Sequence, residues 1–286
     1  MLKKLTRFYH PKTIEEACLN LGNGELKTAI IAGGTSEVLR QDNSIEALVD
    51  ISNVKELSYI SKDSVFYRIG AGTPVQDIYK TPALTGPSGN LLKAAAGKIG
   101  STLLRNSITA GGNLAAMFPW SDLPVVYMAL DAEVVCRKGK PKRTVPVQTI
   151  IDKKASQFLS AAEIIAEIAI PMYGKGTGTA FAKLAKTAND YSMITIATRL
   201  TTRSGKVDQA RIAVNAITAG PVRCIEAEKL LEGQKPTAEL IAAAAKKAAD
   251  SITIRKDFRA SREYRKEVFE VMVRRALTEA HEKAGK

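Results

Sequence analysis

The chain has 286 residues, 45% hydrophobic and 25% charged, with 42 basic against 29 acidic side chains and a net charge of +13. That balance is ordinary for a globular protein with an ample core, and it excludes a membrane span, because no apolar run approaches the roughly 18 residues one needs. The polar start, Met1-Leu2-Lys3-Lys4-Leu5, lacks the apolar core of a signal peptide, so a cytoplasmic chain is expected.

Thr13 is placed to cap a helix from Ile14 to Leu21 that ends at Gly22 or Gly24. An apolar, β-prone run from Ala29 to Ala32 then enters Gly33-Gly34, and Thr35-Ser36 opens a short helical piece. Two adjacent glycines let a backbone turn tightly and approach a ligand with no Cβ in the way. Free N–H groups and a helix N-terminus at the exit of a strand suit an anion. A strand near Ala47 to Ile51 completes a βαβ-like segment over residues 1–55. The spacing is not that of a Rossmann fingerprint.

Phe66 to Pro74 offers a strand followed by Gly70 and Gly72, but Val75 stands where a third glycine belongs. Thr73 as N-cap and Pro74 as first helical residue account for that stretch. Pro82 to Gly89 reads as a loop, and Leu91 to Ile99 as an Ala-rich helix stopping at Gly100. A second glycine pair follows in Thr109-Ala110-Gly111-Gly112-Asn113, and beyond it Ser121-Asp122 is fenced by Pro119 and Pro124. Alone, this pair is either a turn in a buried loop or a nest of N–H groups for a phosphate. Together, the two pairs are a more specific signal, suited to gripping a pyrophosphate from both sides.

Leu123 to Leu130 is apolar enough for a buried helix, with Pro124 tolerated in its first turn. Val134-Val135 and Val145 to Val147 predict a hairpin whose tip is the basic run Arg137 to Arg143, and Ile164 to Ile170 predicts a strand. The run reads as a solvated tip, with contact to a partner subunit as the other reading. No aromatic interleaving supports stacking on single strands, so no nucleic-acid partner is expected.

Gly174 to Gly178 is the linker candidate and places a domain boundary. Beyond it, an apolar run from Met193 to Ala197 and a strand pair, Val207 to Ala213 and Val214 to Ala219, precede three helices: Arg223 to Leu231, Ala238 to Asp250 and Arg262 to Ala280. Ser261 caps the last, with an apolar stripe at Tyr264, Val268, Val271 and Met272. Cys18, Cys136 and Cys224 are far apart and read as buried small hydrophobes; His10 and His281 lie near the chain ends. No metal or iron–sulfur site is expected. There is no nucleophile elbow and no Walker lysine motif.

The segments Ile31-Ala32-Gly33-Gly34-Thr35-Ser36 and Thr109-Ala110-Gly111-Gly112-Asn113-Leu114-Ala115 resemble the two FAD-binding loops of the flavoprotein subunit of molybdenum hydroxylases. That family includes the FAD domain of xanthine dehydrogenase and the medium subunit of aerobic carbon monoxide dehydrogenase. Leu48 to Ile51, Ile69 to Thr73, Arg105-Asn106 and Leu130-Asp131-Ala132 resemble its N-terminal part. Pro221-Val222-Arg223, Tyr264-Arg265 and Arg274 to Leu277 resemble its C-terminal domain.

The resemblance implies an α+β chain: a two-part FAD-binding domain of the vanillyl-alcohol-oxidase-like type (1–55 and 56–173), then a smaller domain of antiparallel sheet plus helices (179–286). It implies noncovalent FAD, with Ile31 to Ser36 and Thr109, Gly111, Gly112 and Asn113 at the pyrophosphate mainly through backbone N–H groups. Asp122, beside Ser121, matches the family's acidic residue after the second loop, and Lys183 matches a lysine near the flavin. Tyr191 is the candidate ring neighbour of the isoalloxazine. Met117, Phe118 and Trp120 depart from the family's usual small residues, and Thr187 from its paired arginines.

The implied function is electron transfer in a multi-subunit complex. The implied partners are an iron–sulfur subunit, a large molybdopterin-binding subunit and an external acceptor. The alternatives are a stand-alone FAD-dependent oxidoreductase acting on a small substrate and a basic nucleic-acid-binding module. The first is limited to noncovalent versions, since neither loop carries an attachment His or Cys.

Overall fold

The computed structural model describes residues 2–40 and 42–285, so Met1 of the polar start lies outside it. The chain gathers into two compact units. Unit 1 takes the chain up to Ala83 with Ser101–Ala116 and Ala132–Ile170; unit 2 takes Leu84–Gly100, Met117–Asp131 and the chain from Pro171 onward. Both mix helix and strand, the expected α+β class. Among the described residues no helix is long and apolar enough to cross a membrane.

Unit 1 holds two sheets. In the first, strands Arg7–Tyr9 and Thr28–Ile31 each pair in parallel with a central Ala47–Asp50. The helix Ile14–Gly22 makes one crossover; the Thr13 hydroxyl accepts from the Glu16 N–H at 3.2 Å, capping it as read from sequence. Ile14, Ala17 and Cys18 from this helix pack with Val49, Ile51, Val54 and Leu57 into one cluster. The second sheet runs Ile60–Lys62, Phe66–Gly70, Ile164–Pro171, Glu133–Arg137, Lys142–Pro146. Its last two strands form the predicted hairpin with the basic run at the tip. The ends of that run are paired within the unit, Arg137 to Glu15 at 2.6 Å and Arg143 to Glu163 at 2.6 Å, while its lysines are exposed. Arg143 holds the Glu163 carboxyl below its ordinary range.

Thr73 is not the cap of the next helix. That helix, Val75–Lys80, starts after Pro74, and the Thr73 hydroxyl instead exchanges hydrogen bonds with the Tyr59 backbone at 3.1 and 2.9 Å. Between Pro82 and Gly89 the loop is shorter than predicted, because the helix runs Gly86–Ala96 with Pro87 in its first turn.

Unit 2 is built on one antiparallel sheet in the order Val222–Arg223, Lys206–Asn215, Ile194–Arg203, Thr177–Leu184. Val207 to Ala219 is thus not two strands: most of it is a single ten-residue strand ending at Asn215. Helices Ile225–Leu231, Ala238–Ser251 and Arg262–Ala284 bury their apolar faces with it in one core. The last helix turns its stripe about one residue from the expected one. Arg265, Phe269, Val273, Ala276, Leu277 and Ala280 are buried, and Tyr264 is exposed, because a buried arginine occupies a core-facing position that composition reads as polar. Gly178 belongs to a strand rather than a flexible link: a Cβ there would collide with the Ala280 carbonyl, so the glycine sets how closely strand and helix pack.

The stretch Met117–Asp131 is tied to this sheet through its end. Asp131 is ion-paired to Arg199 and, at 2.8 Å, to Arg211, while the Arg199 Nε donates to the Ala129 carbonyl at 2.9 Å. The Arg199 side chain is fully buried and lies over the Tyr173 ring, 4.0 Å from its centroid. Asp131→Ala therefore leaves a guanidinium buried without its countercharge and should cost about 3 kcal/mol, the low end for a broken buried pair because the carboxylate is part exposed. The urea midpoint should fall at unchanged slope; an unmoved midpoint contradicts the assignment. The cysteines are buried as expected, and burial pushes the Cys136 thiol up to about 11 and Cys224 up to about 12. At neutral pH these thiols should resist iodoacetamide until the chain is unfolded; rapid labelling of folded protein contradicts that.

Candidate cofactor site

The first glycine pair forms an open turn in unit 1 between the strand Thr28–Ile31 and the short helix Glu37–Arg40. Gly33 lies against the backbone of Ser107, and a Cβ on it would land inside the Ser107 carbonyl. Gly34 has φ +72°, the left-handed region that glycine enters without strain. Among the described residues, no hydrogen bond is donated by the N–H groups of Gly33, Gly34, Thr35 or Ser36. Four successive donors without an internal partner are free to receive an anion. Burial pushes the nearby Glu37 carboxyl up, opposed by Arg40.

The second pair is not a turn. Gly111 and Gly112 lie in the first turn of a helix, Ala110–Ala116, whose N–H groups are satisfied within unit 1. Ala110 N–H donates to the Thr73 carbonyl at 2.9 Å and Gly111 N–H to that of Ala71 at 2.8 Å. Gly112 N–H donates to the Thr109 hydroxyl at 3.1 Å, and Asn113 N–H to the Thr109 carbonyl at 2.9 Å. Gly111 is needed for close packing, since a Cβ there would run into Ala71. What remains available is the Asn113 side-chain carbonyl oxygen, which is buried and has no partner. A buried acceptor left unpaired costs of the order of 1–3 kcal/mol, so a ligand donor at this point is favoured. An uncommitted acceptor here and four uncommitted donors in the first turn fit a nucleotide diphosphate.

Ser121, Asp122, Lys183 and Tyr191 lie in unit 2. Asp122 precedes the helix Leu123–Ala129 but does not cap it with its side chain. Its carboxylate, 3% exposed, accepts from the Ser192 hydroxyl at 2.8 Å, the Thr195 hydroxyl at 2.7 Å and Lys183 Nζ at 2.9 Å. Lys183 Nζ also donates to the Lys98 carbonyl at 2.9 Å, so this ammonium is paired rather than free. Ser121 is buried, and its carbonyl accepts from the Asn215 side chain at 2.9 Å. Just before it, Phe118 and Trp120 stack with centroids 5.0 Å apart, and the half-exposed Tyr191 ring lies 4.6 Å from that of Trp120. Sequence reasoning missed Ser192, Thr195 and Asn215, whose polar side chains carry no local signal of the carboxylate or turn they serve.

The description "FAD binding domain in molybdopterin dehydrogenase" matches residues 3–173, more than half of the chain, and "CO dehydrogenase flavoprotein C-terminal domain" matches residues 179–280. The chain belongs to the molybdopterin dehydrogenase FAD-binding family. It is a medium, FAD-binding subunit of the molybdenum hydroxylase type, an FAD-dependent oxidoreductase subunit with the two-domain fold of that family. A curated family member, the 6-hydroxypseudooxynicotine dehydrogenase complex subunit alpha of Paenarthrobacter nicotinovorans, is 32% identical over 95% of this chain and 93% of its own length. The carbon monoxide dehydrogenase medium chain of Hydrogenophaga pseudoflava is 28% identical over 98% of each. Among solved structures, a carbon monoxide dehydrogenase from Hydrogenophaga pseudoflava lacking the Mo-pyranopterin moiety superposes with a TM-score of 0.91, at 29% identity over 99% of each chain.

Within this family member, Asp122 is the hub of three polar side chains and should be intolerant of change. Asp122→Asn leaves the buried Lys183 ammonium without a countercharge and is expected to cost about 3 kcal/mol, again visible as a lower urea midpoint. Adding Lys183→Met to that variant should recover much of the loss. A double variant as unstable as the sum of its single changes would show that the two groups do not act as a pair.

Proposed function

We propose that this chain is the flavin station of a multi-subunit molybdenum hydroxylase. It takes electrons from the iron–sulfur clusters of one partner subunit, beyond which lies a molybdopterin-binding large subunit, and passes them to an external acceptor. Two of its relatives, a dehydrogenase complex subunit and a medium chain, support a place in an assembly. FAD, when bound, supplies a carrier able to exchange both single electrons and pairs. The chain's own residues supply grip and orientation.

The observation that carries this reading is the run of four uncommitted N–H groups from Gly33 to Ser36. We assign these to the diphosphate and give the Asn113 carbonyl oxygen a hydroxyl or amide of the cofactor. Thr109, Gly111 and Gly112 then act as a thin packed wall rather than as donors. In unit 2, Tyr191 offers an aromatic face to the flavin ring, and Asp122 and Lys183 hold the polypeptide around it.

Gly33→Ala places a methyl on the Ser107 carbonyl and displaces the turn. FAD affinity should fall about a hundredfold, the worth of one or two hydrogen bonds to a charged group, while far-UV circular dichroism stays that of the wild type. Unchanged FAD titration would remove the diphosphate assignment. For the assembly, the tagged chain purified from its own cells should bring down two further polypeptides with iron and molybdenum. A flavoprotein purified alone, oxidising a small substrate by itself, would favour the stand-alone reading instead.

A further inference from the structure

The segment between strands Thr177–Leu184 and Ile194–Arg203 carries Tyr191 and has no regular structure of its own. Its base is closed by one backbone bond, Met193 N–H to the Leu184 carbonyl at 2.7 Å, and its tip by a local turn in which Thr187 N–H donates to Asp190 at 3.1 Å. Besides the Ser192 hydroxyl on Asp122, the backbone of the part between is held by a pair of guanidinium groups. Arg259 Nη1 donates to the carbonyls of Tyr191 and Ser192 at 3.1 and 3.2 Å, and Arg265 Nη1 to that of Met193 at 2.9 Å. Three consecutive carbonyls are thus met by two arginines.

The arginines are held in turn by one carboxylate. Asp257 accepts from Arg259 Nη2 at 2.8 Å and pairs with Arg265 at 2.7 Å, and it accepts the Arg259 backbone N–H at 2.9 Å. Lying between two cations, Asp257 stays charged well below the usual carboxylate range, with the Arg259 hydrogen bond as the main cause. Arg265 is fully buried in the last helix, so the assembly is anchored in the core of unit 2. The planar fork of Arg259 has one edge on Asp257 and the other on the loop, a geometry an ammonium cannot copy.

We infer that Arg259, oriented by Asp257, is the positioning residue that fixes the Tyr191 ring at the flavin. The inference rests on the reading of Tyr191 as the flavin's ring neighbour. Through the Ser192 carbonyl it also steadies the residue whose hydroxyl donates to Asp122. A merely structural arginine would stabilise unit 2 without governing where the Tyr191 ring lies.

The chain carries its own reporter, because Trp120 is the only tryptophan and its ring touches that of Tyr191. In the FAD-free chain, Arg259→Ala should raise acrylamide quenching of Trp120 several-fold and shift its emission to the red, with the circular dichroism of the wild type. Tyr191→Ala should do the same, and the double variant should add nothing further. Arg259→Lys, which keeps the charge, should resemble Arg259→Ala and serves in its place if the alanine variant does not fold. With FAD bound, flavin emission should be several-fold brighter in Arg259→Lys than in the wild type, where Tyr191 quenches it. A lowered melting point with Trp120 quenching unchanged, or additive effects of the two substitutions, would overturn the inference. Failure of the wild type to quench bound flavin through Tyr191, with the Trp120 cycle still non-additive, would instead sink the flavin-neighbour reading and leave the clamp standing.

Discussion

The missing Cβ at Gly33 is the constraint on which the cofactor end of unit 1 depends. With a hydrogen there, the turn after the strand Thr28–Ile31 can lie on the carbonyl of Ser107. Two residues on from Ser107, Thr109 caps the helix that holds the second glycine pair. One close approach therefore sets the first turn against the segment leading into the second, and it leaves the N–H groups of the first pointing at no protein acceptor. The cost of four unsatisfied donors is tolerable only where water or a ligand anion meets them.

In unit 2 the organising interaction is different in kind. The Asp122 carboxylate gathers a lysine and two hydroxyls at a position 3% exposed, where a lone charge would be prohibitive. Its neighbours in sequence carry the aromatic pair Phe118 and Trp120, and Asn215 pins the same stretch from the sheet. Asp131 closes the segment with two arginines. A stretch that carries two prolines and no strand of its own is in this way located by polar contacts at both ends.

Much of the fold was legible because its signals are local. Thr13 capping, the apolar runs before Gly33 and after Ile164, and the hairpin around Gly139 follow from residue type and spacing alone. The departures share a physical cause, which is that tertiary partners decide what a short polar or small residue does. Thr73 reads as a cap yet bonds the Tyr59 backbone. Gly111-Gly112 reads as a turn yet opens a helix, because the Thr109 hydroxyl caps it and Ala71 requires a glycine beside it. Arg265 stands outside the apolar stripe read for the last helix yet lies in the core. Of the candidate site, the resemblance singled out the glycine loops, Asp122 and Lys183 one by one, and the ion pair that joins the last two had no sequence signal. Ser192, Thr195 and Arg259 were not singled out, since nothing near them in sequence names the carboxylate or carbonyls they meet.

The division of labour between the two glycine segments is the central claim, and backbone amide NMR tests it most directly. On titrating FAD into the isotopically labelled chain, the N–H resonances of Gly33, Gly34, Thr35 and Ser36 should move downfield as they acquire a charged acceptor. Those of Gly111 and Gly112, already bonded to Ala71 and Thr109, should change little. Large shifts at Gly111 and Gly112 with the first turn unmoved would contradict the account.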